Sequence, residues 1–553
     1  MVFFYLFILI WLIVALKTVL FWVYLWQLKE YHIGRFMDHF NTSKGQRIIW
    51  NRVLVFKFIA ASSLILFATY YNDNKTLVNL FLSGLAFLSA IAFIALYAGE
   101  AALFVYRLYQ KKSIKPVLTK KVFFLITISF AFEAGFIYLV IRFLSANIYS
   151  FILNVITVDL WSPVLISLII LAFQPITVLG RNVILNKARS KRNKFEKLIV
   201  VGITGSYGKT STKEYLAAIL SEKFRVLKTK EHQNSEVGIS HCILNDLKPE
   251  HEIFICEMGA YNQGGIRLLS SIARPKIGIL TGINEQHMAT FGSQENIVKG
   301  KFELIESLPN DGIAIFNGDN EYISNLKNQI SKIELKSKIF YSVKEHLDIW
   351  AEDIKIEKEW LHFKIFSKDG DNAEFKLNLF GKQNISNILA AACCARKLGM
   401  SMQEIADAAK KITAKDGAMK LLAGKRGLNI LDSTYSANPD GIMADLDYLK
   451  LWNGKKVLIM PCMIELGKAA GDVHKKLGWK IAEVCEFAII TTLDRFDEIK
   501  KGALEKGMKE SNVIFSERPS EIMAIISEKL NREDVILLES RVPKAVIENL
   551  TVK

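Results

Sequence analysis

Thr204-Gly205-Ser206-Tyr207-Gly208-Lys209-Thr210-Ser211 is the stretch on which the reading of this chain turns. An apolar run, Leu198-Ile199-Val200-Val201, precedes it, and a helix-like segment, Thr212-Lys213-Glu214-Tyr215-Leu216-Ala217, follows. Strand, glycine-rich turn and helix is the order a phosphate cradle needs. The glycines let backbone N–H groups converge, the helix N-terminus adds partial positive charge, Lys209 adds a full one, and the Thr210 hydroxyl suits Mg²⁺. The pattern predicts a nucleoside triphosphate site built from Gly205, Ser206, Tyr207, Gly208, Lys209, Thr210 and Ser211. Ile203 replaces the first glycine of the strict motif, so the loop alone does not separate ATPases, GTPases and ligases.

Upstream of the loop the chain reads as membrane. Five apolar stretches, 3–26, 53–70, 77–106, 122–143 and 151–179, are long enough to cross a hydrocarbon layer about 30 Å thick. The first lacks the small-residue cleavage site of a secretory signal and is kept as a span. Almost all of the net charge of +16 lies before residue 198. Lys29, Arg35, Lys44, Arg47 and Arg52 fill the first connection; Arg107, Lys111, Lys112, Lys115, Lys120 and Lys121 fill the third. Arg181, Lys187, Arg189, Lys191, Arg192, Lys194 and Lys197 follow the fifth span. The second and fourth connections carry almost no basic residues. The positive-inside rule then predicts a multi-pass protein of the cytoplasmic membrane, N-terminus outside and the soluble part in the cytoplasm. The near-neutral soluble part argues against a nucleic-acid partner. Glu100 and Glu133 fall inside spans, where a carboxylate is costly and reads either as a helix–helix hydrogen bond or as a functional group. The six cysteines, all in the soluble part and without a C-x-x-C pair, read as reduced thiols.

Downstream, strand-like runs at 198–203, 226–229, 253–257, 277–280 and 313–316 alternate with helical segments. That pattern predicts a parallel sheet covered by helices. A second series at 428–431, 457–460, 487–491 and 535–538 predicts a smaller α/β domain. The expected organisation is a membrane domain (1–180), a basic juxtamembrane linker (181–197), a P-loop α/β domain (198–412) and a smaller Rossmann-like α/β domain (413–553).

Further motifs accompany the loop. They are Glu257-Met258-Gly259-Ala260, Thr281-Gly282-Ile283-Asn284-Glu285-Gln286-His287, Phe291-Gly292-Ser293-Gln294-Glu295 and Lys299-Gly300-Lys301-Phe302-Glu303. Then come Gly381-Lys382-Gln383-Asn384-Ile385-Ser386-Asn387, Asp432-Ser433-Thr434-Tyr435-Ser436-Ala437-Asn438-Pro439, Met463-Ile464-Glu465-Leu466-Gly467 and His474. Together they resemble the Mur ligase family of ATP-dependent amide ligases of peptidoglycan precursor synthesis, in particular its D-alanyl-D-alanine-adding branch. The resemblance covers 198–553.

It implies activation of a carboxylate as an acyl phosphate, then attack by an amine such as D-Ala-D-Ala. Lys209 would contact the β/γ-phosphates. Thr210, Glu257 and His287 would hold Mg²⁺, two ions in all. Lys301 would carry a carbamate that serves as a further metal ligand, with Lys299 as a competing assignment. Asn384 and Asn387 would face the adenine, and Asn317, with Asp319 beside it, and Asp432 would approach the nucleotide. Asn234, Tyr435, Asn438, His474, Ser540 and Arg541 would contact substrate.

The chain departs from the family at several places. Gln383 replaces a common His, Gly417-Ala418 replaces Gly-Arg, and Ser433 replaces the second Asp. Leu538-Glu539-Ser540-Arg541 replaces Lys-Gly-Ser-Arg. The missing guanidinium is not replaced in kind by Lys420. A membrane bundle also stands where soluble relatives have a domain that grips the UDP-sugar. The acyl substrate is therefore expected to be UDP- or lipid-linked and presented at the membrane. Two competing readings are a poly-γ-glutamate-synthetase-like ligase and a non-catalytic nucleotide-responsive scaffold.

Overall fold

The computed structural model describes residues 2–70, 77–144, 148–231, 233–413, 419–434 and 438–552. The chain divides into two compact units, Met1–Gly180 and Arg181–Lys553.

Among the described residues five helical stretches are long and apolar enough to cross a membrane: Tyr5–Leu28, Ser43–Leu66, Ser83–Tyr109, Lys120–Phe143 and Ser150–Asn193, the last continuing past residue 180. They match the five expected spans to within a turn or two at most ends. The second begins ten residues early because the helices Ser43–Ile49 and Arg52–Tyr70 abut. The basic first connection is itself partly helical, with Ile33–His39 capped by His32. Residues 71–76, in the second connection, and 145–147, in the fourth, lie outside the described residues. The bundle is turned inside out relative to a water-soluble one. Phe123, Leu88 and Trp161 stand 63–65% exposed on its surface, whereas Lys57 and Glu133 are buried. Large apolar side chains facing outward around interior charges suit a lipid solvent.

The second unit carries two sheets. The first has the order β2-β3-β1-β4-β5-β6-β7-β8-β9, with β1 Ile199–Thr204, β2 Val226–Lys228, β3 Ile253–Glu257, β4 Ile277–Leu280, β5 Ile313–Asn317, β6 Ser337–Ser342, β7 Ile349–Ile356, β8 Leu361–Ser367 and β9 Asn372–Leu377. The strands from β2 across to β7 run parallel, and β7-β8-β9 is an antiparallel meander. The expected strands β1 to β5 do pair in parallel, and the antiparallel meander β7-β8-β9 extends them into a mixed sheet. β9 explains the difference: its side chains alternate exposed and buried along the strand. Such an edge needs one covered face only, whereas central parallel strands are covered on both. β1 shows the latter case. Val201 and Ile203 face one core with Tyr215, Leu216 and Ile388, and Val200 faces the other with Phe254 and Ile266.

The second sheet has the order β10-β11-β15-β12-β13-β14, from β10 Lys420–Ala423, β11 Asn429–Ser433, β12 Lys456–Met460, β13 Phe487–Ile490, β14 Val513–Phe515 and β15 Val535–Glu539. All its pairings are parallel except β10 with β11.

The segment expected as a basic linker is instead part of the helix Gln174–Asn193. Leu185 and Ala188 are buried in the core of the second unit. Arg192 donates to the carbonyls of Ala273 (2.9 Å), Phe195 (2.8 Å) and Leu198 (3.2 Å), and Lys191 to those of Leu244 (3.0 Å) and Leu247 (2.7 Å). These cations satisfy loop and helix-end carbonyls that would otherwise be buried without donors. All six cysteines are free and buried, as expected of reduced thiols.

Candidate active site

The loop after β1 turns sharply into the helix Lys209–Leu220, whose N-cap is Gly208 at φ 76°. A side chain there would meet Asn387 Oδ1 at 2.6 Å, and one on Gly205 would meet Thr281 Oγ1 at 2.1 Å. Only glycine fits both positions. Lys209 Nζ donates to the carbonyls of Gly205 (2.7 Å) and Ser206 (3.2 Å), closing the loop on itself. Burial holds the Lys209 ammonium below its ordinary value, and Glu257 opposes that shift. The Ser206 hydroxyl accepts from the backbone N–H of Asn284 (3.1 Å), and the Tyr207 hydroxyl accepts from Asn320 Nδ2 (3.2 Å).

Glu257 ends β3, at the carboxyl edge of the sheet where α/β folds place ligands. One of its oxygens accepts from Thr210 Oγ1 (3.1 Å) and Asn234 Nδ2 (3.2 Å); the other faces Lys213 Nζ at 3.3 Å. Lys213 is fully buried and also pairs with Glu214 at 3.1 Å. Burial alone would lower its basicity, but the two carboxylates outweigh it and the net shift is upward. Lys213 was not anticipated as a site residue. Its spacing of four from Lys209, on the same helical face, was the available signal.

His287 sits at φ 68°, with Nδ1 2.7 Å from Glu465 Oε2. Glu465 lies in the other sheet's domain at φ 65°, and its carbonyl accepts from Ala289 N–H (3.0 Å). Two left-handed residues thus face each other across the domain boundary, a strain that the surrounding contacts must hold in place. Tyr261 packs edge-on against the imidazole at 4.7 Å. Burial favours the neutral imidazole, with Glu465 opposing and Lys301 assisting. The Glu465 contact leaves Nε2 as the nitrogen able to meet a ligand.

The two candidate lysines differ sharply. Lys299 is exposed and paired with Glu295, one turn away, at 2.7 Å. Lys301 is 2% exposed, donates to Ala260 O (3.2 Å) and lies 5.6 Å from the Phe291 ring. Burial and the nearby Lys209 ammonium lower its pKa to about 7, against the pull of Glu303. Glu303 itself accepts from the N–H groups of Gly264 (2.5 Å) and Arg267 (2.9 Å), capping the helix Gly265–Ala273. Lys209, Glu257, His287 and Lys301 all fall within one connected set of electrostatic neighbours.

Among the described residues no three His, Cys, Asp or Glu side chains form a metal cage. A hydroxyl, one carboxylate and one neutral imidazole fit Mg²⁺ only if phosphate, water and a further anionic oxygen complete the shell.

The remaining expected residues divide. Asn384 and Asn387 are buried and already bonded: Tyr215 O–H donates to Asn384 Oδ1 (2.8 Å), Asn384 Nδ2 to Phe380 O (2.6 Å), and Asn387 Nδ2 to Asn384 Oδ1 (3.3 Å). They brace the back of the loop. Asn317 Nδ2 donates to Thr281 O (2.9 Å), and Asp319 anchors Ser342 Oγ (2.5 Å) and Val343 N–H (2.8 Å). Asp432 accepts from Thr434, and Asn438 caps the helix Pro439–Leu449. Asn284 Nδ2 crosses to Asp440 (2.8 Å), a contact between the domains that was not anticipated. His474 is fully buried, its Nε2 accepting from Met463 N–H (2.9 Å) and its Nδ1 2.6 Å from Ala470 O. Both of its ring nitrogens are thus engaged by backbone groups of its own domain. Ser540 is left-handed at φ 60°, and Arg541 is exposed. Tyr435, Gly417 and Ala418 lie outside the described residues.

Comparison with known proteins gives a consistent result. Residues 203–395 match the Mur ligase middle domain, and 417–541 the Mur ligase glutamate ligase domain. The UDP-N-acetylmuramoyl-tripeptide–D-alanyl-D-alanine ligase of Bacillus subtilis is 30% identical over 344 residues, which are 62% of this chain and 72% of that protein. The enzyme of the same name from Escherichia coli is 31% identical over 50% of this chain and 61% of its own length. A crystal structure of MurF ligase from Thermotoga maritima in complex with ADP is similar at TM-score 0.58 and 27% identity, covering 67% of this chain and 83% of that one.

Proposed function

The chain belongs to the Mur ligase family of ATP-dependent ligases, and from that premise we propose that it joins a muramoyl-tripeptide carboxylate to D-Ala-D-Ala, or a closely similar amine, at the cytoplasmic face of the membrane. The observation that carries the reading is the buried Lys301 amine, held near neutrality beside Lys209 and His287. A surface lysine stays charged and repels a metal. An amine with a pKa near 7 is nucleophilic enough to add CO₂, losing a proton and becoming an anionic oxygen ligand.

In the reaction so read, the tripeptide carboxylate attacks the γ-phosphorus of ATP. The bond to the β-γ bridging oxygen breaks, and acyl phosphate and ADP form. The amine then attacks the acyl carbon, loses a proton and expels phosphate. Lys209 exchanges its loop carbonyls for phosphate oxygens and offsets their charge. Asn234 and Lys213 hold the Glu257 carboxylate in one orientation. Glu465 fixes the His287 ring, so that tautomer and angle are set before substrate arrives. Thr210, Glu257, His287 and a Lys301 carbamate would hold Mg²⁺, which would supply positive charge to the transferred phosphoryl group.

The five apolar helices support an anchored enzyme, the basic first and third connections favour an N-terminus outside, and the acyl donor in this reading is presented at the membrane as a UDP- or lipid-linked peptide. The test uses the full chain in detergent with ATP, Mg²⁺, UDP-muramoyl-tripeptide or its lipid-linked counterpart, and D-Ala-D-Ala. ADP release and product mass that require both acyl donor and amine are expected, and K209A is expected to abolish them. ATP binding without turnover on either donor sinks the reading.

A further inference from the structure

The membrane bundle encloses an ion network that the ligase chemistry does not use. Lys57 pairs with Asp159, and with Glu100 at 3.5 Å; Lys17 pairs with Glu100 at 3.2 Å; Tyr97 O–H donates to Asp159 Oδ2 at 2.7 Å. Four helices contribute these groups. The fifth, Lys120–Leu139, contributes Glu133, which is 0% exposed and whose two carboxyl oxygens have no hydrogen-bond partner among the described residues. Ser162 lies near it but spends its hydrogen on Val158 O (3.0 Å). The hydroxyl of Ser129, one turn earlier on the same face, is likewise buried and unpartnered.

Charge decides what belongs there. With every group ionised, three carboxylates meet two ammonium groups. Both ammonium groups are engaged by Glu100 and Asp159, and the charged neighbour that acts on Glu133 is Asp159, a like charge. A bare carboxylate beside another carboxylate in an apolar interior is too costly to persist. The deficit is one positive charge, which argues against a phosphate headgroup as the occupant. We infer that the bundle binds one monovalent cation, a proton or an alkali-metal ion, on the Glu133 carboxylate, against a fixed wall formed by Lys57, Tyr97 and Asp159. A carboxylate that exchanges such a cation among packed helices is the element from which ion-coupled movement is built.

Infrared pH-difference spectra of the full chain in lipid nanodiscs test this. A protonated-carboxyl C=O band is expected in the wild type at low pH, and it fades as the pH rises. E133Q loses that band, and E133D retains it at a shifted position. D159N removes the neighbouring like charge, so the band fades at lower pH. Adding Na⁺ or Li⁺ at constant pH, with choline as control, removes the band if the site also takes an alkali ion and leaves it unchanged if it takes only protons. A wild type without a titrating band, or a titrating band identical in E133Q, overturns the inference.

Discussion

Lys301 and Lys213 show how burial assigns work to two residues of one type. Lys301 has a carbonyl and an aromatic ring for company and is pushed toward its neutral form. K301A is expected to lower ligase activity about 10²-fold or more, since it removes an oriented charge at the phosphoryl site. Short-chain carboxylates added to that variant should restore part of the rate, because they supply the missing anionic oxygen. Absence of rescue would count against the carbamate. Lys213, by contrast, is locked between Glu257 and Glu214. K213M leaves Glu257 buried without its cation, and is expected to cost about 3–5 kcal/mol in chemical denaturation. The same substitution in an E257Q background should cost much less.

At the scale of elements, two of the contacts that join the domains lend themselves to measurement. The first is Glu465 on His287. E465Q weakens an outer-shell hydrogen bond, with an expected loss of about 10–100-fold in kcat/KM. Combined with H287A it should add little, because both act through one imidazole. The second is the buried group Ser433, Asp445, Glu539 and Gln383. Ser433 O–H donates to Asp445 at 2.6 Å and Gln383 Nε2 to its other oxygen at 2.8 Å. Burial, and then the Asp445 charge, push Glu539 well above the ordinary carboxyl value. A carboxyl raised on folding stabilises fully below its unfolded value and loses that contribution as pH rises through its folded one. E539Q cannot ionise. Its Tm should match the wild type near pH 4 and exceed it at neutral pH, by an amount equivalent to about 1–3 kcal/mol. A wild-type Tm that rises in parallel with that of E539Q between those pH values would refute the assignment.

For the whole molecule, the division after Gly180 carries a prediction of its own. Residues 181–553 contain both sheets, their cores and the cationic half-helix that ties down Ala273, Leu244 and Leu247. Expressed alone, they are expected to stay in solution without detergent and to melt cooperatively. Starting instead at 198 removes Leu185, Ala188 and Arg192, and should lower the Tm by several degrees or cause aggregation, since two fully buried apolar residues cost roughly 2–5 kcal/mol between them.

Much of this was legible in the residues. A gapped run of glycines between an apolar strand and a helix can hardly fold otherwise, because backbone N–H groups, φ > 0 and a helix terminus are local properties. Five apolar spans were readable for a similar reason, since crossing a hydrocarbon layer needs length and hydropathy and little else. Strands β6 to β10 and β14 were missed; for β7 to β9 the reason is that a half-buried meander looks like an amphipathic surface until its partner strands are known. The P-loop, the number of candidate spans and the family can be read from the order of residues. The burial of Lys301 rather than Lys299, the hold of Lys213 and Glu465 on the site, and the service of the charges after residue 180 to a helix emerge once the chain has folded. Periodicity and motif are written along the chain, whereas burial and charge pairing depend on which distant residues arrive at the same place.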